Sequence, residues 1–263
     1  MASKATEGTP EGTPKPAPKS TDLVSRTKGP SPFGTGVFVV LRSLDPLLQH
    51  AIMTRGLGSS LIHRCGASTI PLAATTNVLG LAPHQMIMFS MTAASTIAET
   101  FWLYYISQEE MPPEQAAFIA MFHSISNSLN TLMSMCALTS AIDRYGDWKS
   151  LLHSPPVVFG TALYIGGILV QTISEIQRRR FKENPANKGK PYGGGLFSLA
   201  SHINYGGFTA WRTGYAMASG GWAFAALSSA WFIYDFSARA IPSLEAYCEQ
   251  KVSRLSMWIR WLG

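Results

Sequence analysis

The chain has 263 residues, 46% of them hydrophobic and only 14% charged, far below the roughly 25% charge of an average soluble protein. Its net charge of +6 does not mark a nucleic-acid-binding surface, because the basic residues collect in the amino-terminal tail and in loops instead of along an aromatic-interleaved stripe. Cys65, Cys136 and Cys248 are the only cysteines; their odd number and spacing support neither a disulfide framework nor a zinc site, and no metal is expected.

Residues 1–32 are rich in Pro, Gly, Ser, Thr and Lys. With almost no large apolar side chain they cannot offset the entropy of ordering, so a disordered tail is expected. The tail lacks the apolar core of a signal peptide, which leaves membrane insertion to the internal helices of a single membrane domain over residues 33–263. From Phe33 to Gly56 apolar residues mix with Arg42, Asp45 and His50, and Pro46 predicts a broken or interfacial helix. Gly56, Gly58, Gly66 and Pro71 then predict a loop or re-entrant stretch.

Five apolar segments follow: His84 to Ile106, Gln115 to Ile142, Val157 to Ile173, Leu196 to Ala218 and Trp222 to Phe236. Each is about as long as a helix needs to cross a hydrocarbon core. The expected fold is all-α, a polytopic transmembrane bundle of about five to seven helices, in which residues 33–150 form the substrate side. Glu99 lies inside the first segment, where a carboxylate must be protonated, paired or turned to a polar cavity. In the second, His123, Ser126, Asn127 and Asn130 recur at helical spacing as a polar stripe. Such a stripe serves interhelical hydrogen bonding or the wall of a substrate chamber. The charged stretch DRYGDWKSLLHSPP reads as a loop closed by two prolines.

The third segment runs into VQTISEIQRRRFKENPANKGKPYGGG, which sets Gln171 and Glu175 one turn apart ahead of a basic block from Arg178 to Lys182. That block belongs on the cytosolic side by the positive-inside rule. Together with the glycine loop and the LFSLASHINYGGFTAW that follows, it forms an anion-ready cleft at a membrane edge, suited to a phosphorylated cofactor.

The order FKENPANKGKPYGGGLFSLASHINYGGFTAWRTGYAMA, followed by RAIPSLEAYCEQK, resembles the carboxy-terminal region of the steroid 5α-reductase superfamily and the domain of unknown function placed within it. The resemblance covers residues 160–252, so that residues 151–263 form the cofactor region. It implies a helical bundle of the endoplasmic reticulum membrane that binds NADPH on its cytosolic side and reduces a carbon–carbon double bond of a lipid or sterol-like enone. In that reading Gln171 and Glu175 approach the adenine or ribose, Arg180 and Lys182 the phosphates, and Asn204 and Tyr205 the nicotinamide side, while Arg239 and Tyr247 close the cleft. Glu99 and Tyr104 or Tyr105 are the candidates for activating the substrate. Two positions depart from the family pattern: Ile203 replaces a proline and Phe208 replaces a glutamate. Membrane methyltransferases that use S-adenosylmethionine have a similar His-Pro-x-Tyr arrangement, which His202 and Tyr205 match, with Glu245 as the later carboxylate. The loss of the glutamate at 208 also suits a non-catalytic bundle that binds lipid or a partner. NADPH, S-adenosylmethionine or no cofactor at all therefore remain the three alternatives.

Overall fold

A computed structural model describes residues 27–71, 79–142, 148–188 and 190–246; most of the amino-terminal tail and Tyr247 lie outside them. The helices are α1 (Pro32–Thr54), α2 (Leu57–Arg64), α3 (Pro83–Phe101), α4 (Pro113–Met135), α5 (Trp148–Leu152), α6 (Pro155–Glu183) and α7 (Ile203–Asp235). One π turn, Trp102–Ile106, extends α3, and another, Phe236–Ala240, extends α7. No strand occurs among the described residues.

Proline sets most of the starts. Pro32, Pro83, Pro113 and Pro155 stand at the first position of α1, α3, α4 and α6, where a missing N–H costs nothing and the fixed φ suits the helix. The prolines at 155 and 156 thus open a helix and do not close a loop. Pro46 is a second correction, since α1 runs through it unbroken. The carbonyl that its missing N–H leaves unmet is that of Arg42, and the Thr96 hydroxyl approaches this oxygen at 3.4 Å. The stretch after Gly56, expected as a loop, forms α2, and the apolar segment from Val157 continues as helix to Glu183.

α7 is two helices. Gly220 and Gly221 leave helical geometry, Gly221 at φ 72°, a value that favours glycine. The chain folds back there, so that Phe208 meets Phe232 and Phe236 at 5.4 and 5.6 Å between ring centres. The first arm packs antiparallel on α6 along a seam of glycines. A Cβ on Gly167 would stand 2.4 Å from the Trp211 nitrogen, one on Gly214 2.4 Å from the Tyr164 nitrogen, one on Gly160 2.6 Å from the Ala218 nitrogen, and one on Gly207 2.6 Å from the Gln171 nitrogen. Small residues at helix crossings let backbones approach in this way.

The bundle is inverted in polarity. Arg42, Asp45, Gln49, His123, Asn127, Thr131 and Arg212 are buried, while Phe118, Met121, Ile125 and Leu129 form an exposed stripe on α4, and Ile165, Leu169 and Ile173 one on α6. Water does not favour such a surface, and hydrocarbon does. α6 and α7 are long and apolar enough to cross a membrane, and only 28% of the apolar window of α6 is buried. The 29 residues of α6 reach roughly 43 Å, so that its basic end projects beyond a hydrocarbon core of about 30 Å. The pairs Asp45–Asn127 and Gln49–Thr131 make α1 and α4 parallel, and the pairs Arg42–Glu99 and Met53–Gln85 set α3 antiparallel to α1. Residues 27–31, 106–113, 183–188, 190–203 and 235–246 gather at one end of the bundle, where Lys28, Gln108, Arg178 and Lys182 line one cleft.

The seam makes a sharp prediction. Gly167→Ala and Gly214→Ala each lower unfolding stability in detergent by about 2–3 kcal/mol through overpacking. Gly166→Ala, whose Cβ meets nothing within 4 Å, leaves it unchanged or raises it by up to about 1 kcal/mol.

Candidate functional site

Two polar constellations lie in the bundle. The first is internal. Arg42 on α1 donates to Asp45 Oδ2 and to Glu99 Oε2, both at 2.7 Å. His123 Nδ1 lies 2.8 Å from Glu99 Oε1 and also against the Arg212 guanidinium. Arg212 donates to Asn127 Oδ1 at 3.0 Å, and Asn127 donates to Asp45 Oδ2 at 2.7 Å, which closes the ring. Gln49 extends it by donating to Asp45 Oδ1 at 2.9 Å and accepting from Thr131 at 2.8 Å. Two arginines balance two carboxylates, which is how charge persists in a low-dielectric interior. Arg212 Nε has no hydrogen-bond partner among the described residues, but its guanidinium carbon lies 4.3 Å from the Trp211 ring centre, a cation–π contact that offsets part of the loss.

Glu99 is thus paired, with Arg42 of α1 and His123 of α4. On α4, His123 and Asn127 join this network, Asn130 accepts from Ser219 at 3.3 Å, and Ser126 turns back to the Phe122 carbonyl. Tyr105 is exposed and lies under Arg179, whose guanidinium carbon stands 4.3 Å from its ring centre.

The second constellation sits where α6 ends and α7 begins. Asn204 donates to Glu175 Oε1 at 2.8 Å, and Arg178 donates to Glu175 Oε2 at 2.5 Å. One turn deeper, Trp211 Nε1 donates to Gln171 Oε1 at 2.7 Å. The glycine loop folds back on α6 because Gly195, at φ 56°, lets the Leu196 N–H reach Gln177 Oε1 at 2.9 Å. His202 precedes α7 and stacks on Tyr205, and Tyr205 stacks on Phe236 at 4.8 Å and 9°. Glu245 Oε1 lies 3.7 Å from His202 Nε2.

Beside this stack, between the two arms of α7, lies an open groove of about 420 Å³. His202, Tyr205 and Phe236 line its rim, Thr209 and Thr213 one wall, Ser229 and Ser237 the other, with Leu163 of α6 beneath. A separate cleft of about 80 Å³ is lined by Lys28, Gln108, Glu175, Arg178, Arg179 and Lys182. Tyr205 and Lys182 therefore border different hollows, with Glu175 lining the second. Gln171, Arg180, Asn204 and Arg239 line neither, and Arg239 is held bidentately by Asp235 at 2.7 and 2.8 Å. Phe208, in place of the family glutamate, packs at 5.1 Å from Trp211 and stands 5.6 Å from the Arg212 guanidinium. Ile203 takes the first position of α7, where proline is the common choice.

Arg212 and the hydroxyl-bearing arms are the parts that the sequence reading missed. Arg212 had a signal, an ionisable residue in an otherwise apolar run, the same argument that singled out Glu99. Thr213 and Ser229 had none, because only the fold-back at Gly220 and Gly221 brings them face to face.

A helical membrane bundle with a rim cavity between the arms of its last hairpin is the class that the fold defines. Residues 102–257 match the family model described as Protein of unknown function (DUF1295). The chain is also 35% identical over 243 residues to the probable O-methyltransferase ustE of Ustilaginoidea virens, covering 89% of this chain and 85% of that one. The chain belongs to this family.

The internal network predicts a large cost for stranding one of its charges. Arg42→Met lowers unfolding stability in detergent by about 3–5 kcal/mol, and adding Glu99→Gln to it costs less than the sum of the two single changes, as a double-mutant cycle measures.

Proposed function

We propose that the chain is an integral-membrane methyltransferase that uses S-adenosylmethionine, with its site in the cavity between the arms of α7. One observation carries the reading: among the described residues the cavity wall has aromatic rings and hydroxyl oxygens but no Asp, Glu, Lys or Arg. A sulfonium suits electron-rich rings and oxygen lone pairs without a formal counter-ion. A dinucleotide phosphate needs cations in its own hollow, and Lys182 and Arg178 line the other, much smaller cleft. That support is joined by the relative whose name speaks of methyl transfer to oxygen.

When bound, S-adenosylmethionine supplies an electrophilic methyl group on a positively charged sulfur. The residues of the chain would hold and orient it. The wall formed by Tyr205, Phe236 and His202 receives the sulfonium and the purine, and Glu245, beside His202, suits the amino group, while Arg239 stays held by Asp235. Asn204, Glu175 and Gln171 act one layer back: by tying the start of α7 to the end of α6 they fix where His202 and Tyr205 stand. Glu99 then serves the internal network, and Tyr105 serves as a seat for Arg179. The rim lies at the basic end of the bundle, which the positive-inside rule places on the cytosolic side, in the endoplasmic reticulum membrane that the resemblance implies.

A ligand-stability assay on the detergent-solubilised chain tests this. S-adenosylmethionine at a hundredfold excess over its Kd raises the Tm by roughly 5–10 °C, NADPH leaves it unchanged, and Tyr205→Ala abolishes most of the shift. Stabilisation by NADPH instead would return the site to a reductase, and stabilisation by neither would favour a bundle without cofactor.

A further inference from the structure

The small cleft at the end of α6 is built from two sides. Glu175, Arg178, Arg179 and Lys182 come from α6, and Lys28 comes from the segment before α1. Lys28 is tied in place. Its backbone bridges Glu109 and its Nζ donates to Gln108 Oε1 at 2.6 Å, while the Glu110 N–H donates to the Thr27 carbonyl at 2.8 Å and the Met111 N–H to Ser31 Oγ at 2.7 Å. Four cations thus line one hollow of about 80 Å³ together with two carboxylates, Glu109 and Glu175. Glu175 is already taken up by Asn204 and Arg178. Like charges held this close repel one another, and an anion between them removes that cost. Arg178 gives Nη2 to Glu175 and Arg179 gives Nε to Glu183; a guanidinium offers more N–H donors than one such partner uses, in a fork that suits phosphate.

The cleft lies at the depth of lipid headgroups. Ile173 ends the exposed apolar stripe of α6, and Arg178 and Arg179 follow it by roughly 7–9 Å along the helix axis. The headgroup region extends about 5–7 Å beyond the hydrocarbon on each side, and the long basic side chains bend back to it. The π turn gives Trp102 to the cleft and leaves Tyr104 and Tyr105 exposed beside it; such rings collect at the same level. The positive-inside rule places this end in the cytosolic leaflet, where anionic lipids lie. At a volume far below the roughly 300–1,000 Å³ of a small-molecule site, the cleft suits one phosphate and not a nucleotide.

We propose that this cleft binds the terminal phosphate of an anionic membrane lipid, a phosphate monoester whose acyl chains stay in the bilayer. A monoester carries a charge of about −1.5 to −2 and three acceptor oxygens, so Lys28 meets it from one side while Arg178, Arg179 and Lys182 meet it from the other. A phosphodiester headgroup has fewer free oxygens and less charge, and a choline headgroup adds a cation that the rim repels. Arg180 follows Arg179 on the same helix end but is exposed and lines neither hollow, so the site is a set of particular side chains and not the basic block as a whole. It is separate from the groove between the arms of α7 and holds whether or not that groove receives a methyl donor.

Binding of dioctanoyl lipids to the full chain in detergent, read by thermophoresis with no methyl donor present, tests the inference separately from the cofactor reading. Dioctanoyl phosphatidic acid should bind at least about tenfold more tightly than dioctanoyl phosphatidylglycerol or phosphatidylcholine, which share its chains and differ in the headgroup. Inorganic phosphate, which has no chains to hold it at the membrane surface, should bind at least about a hundredfold more weakly. Lys28→Gln and Arg179→Gln should each weaken phosphatidic acid about three- to tenfold. Arg180→Gln, which removes the same charge from the same helix end, should leave it unchanged, and all three variants should unfold at the parent Tm. Equal affinities for the three lipids, equal losses in the three variants, or inorganic phosphate binding as tightly as phosphatidic acid would overturn the proposal.

Discussion

Close contact between two backbones organises this molecule. Four glycines, Gly160 and Gly167 on α6 and Gly207 and Gly214 on the first arm of α7, remove the side chains that would hold those helices apart. At that distance Gln171 reaches Trp211 and Glu175 reaches Asn204, and the start of α7 is fixed against the end of α6. His202 and Tyr205 inherit their positions from that junction. The cavity is a consequence as well, since the first arm must be anchored before the second, folding back at Gly221, can stand opposite it and leave a gap.

The internal ion network complements the seam. The seam depends on backbone proximity and dispersion, which hydrocarbon leaves intact; the network depends on charges that hydrocarbon makes expensive to separate. Arg42, Glu99, His123 and Arg212 come from α1, α3, α4 and α7, so the helices that the glycines do not join are joined here. Phe208 lies between the two regions, touching the Phe232 and Phe236 side of the hairpin and facing Arg212. A carboxylate there would compete with Glu99 and Asn127 for the guanidinium; phenylalanine leaves Arg212 to the network and closes the aromatic wall behind the rim.

Helix content and the apolar segments were legible in the sequence because length and hydrophobicity speak directly to the bilayer. Helix ends were less so. Pro46 reads as a break on local grounds, and only the tertiary approach of Thr96 to the orphaned carbonyl shows how the helix passes through it. The hairpin was visible only as two apolar segments parted by Gly220 and Gly221; its consequence, four hydroxyls facing one another, depends on pairing that no local pattern encodes. Periodicity brought out Gln171 with Glu175 and His123 with Asn127, but not their partners on other helices. The heptad spacing of Gly160 with Gly167 and of Gly207 with Gly214 was in plain view, and read as a packing signal it points to the crossing of α6 and α7.

In the function proposed above, the hollow beside Tyr205 and Phe236, and not the basic cleft at Lys182, receives the methyl donor. Ultraviolet crosslinking of methyl-labelled S-adenosylmethionine to the full chain, followed by mapping of the labelled peptides, addresses it directly. Label is expected in residues 202–213 or 229–241, chased by unlabelled S-adenosylhomocysteine. Label confined to the Arg178–Lys182 segment, or to the helices of the internal ion network, would contradict it.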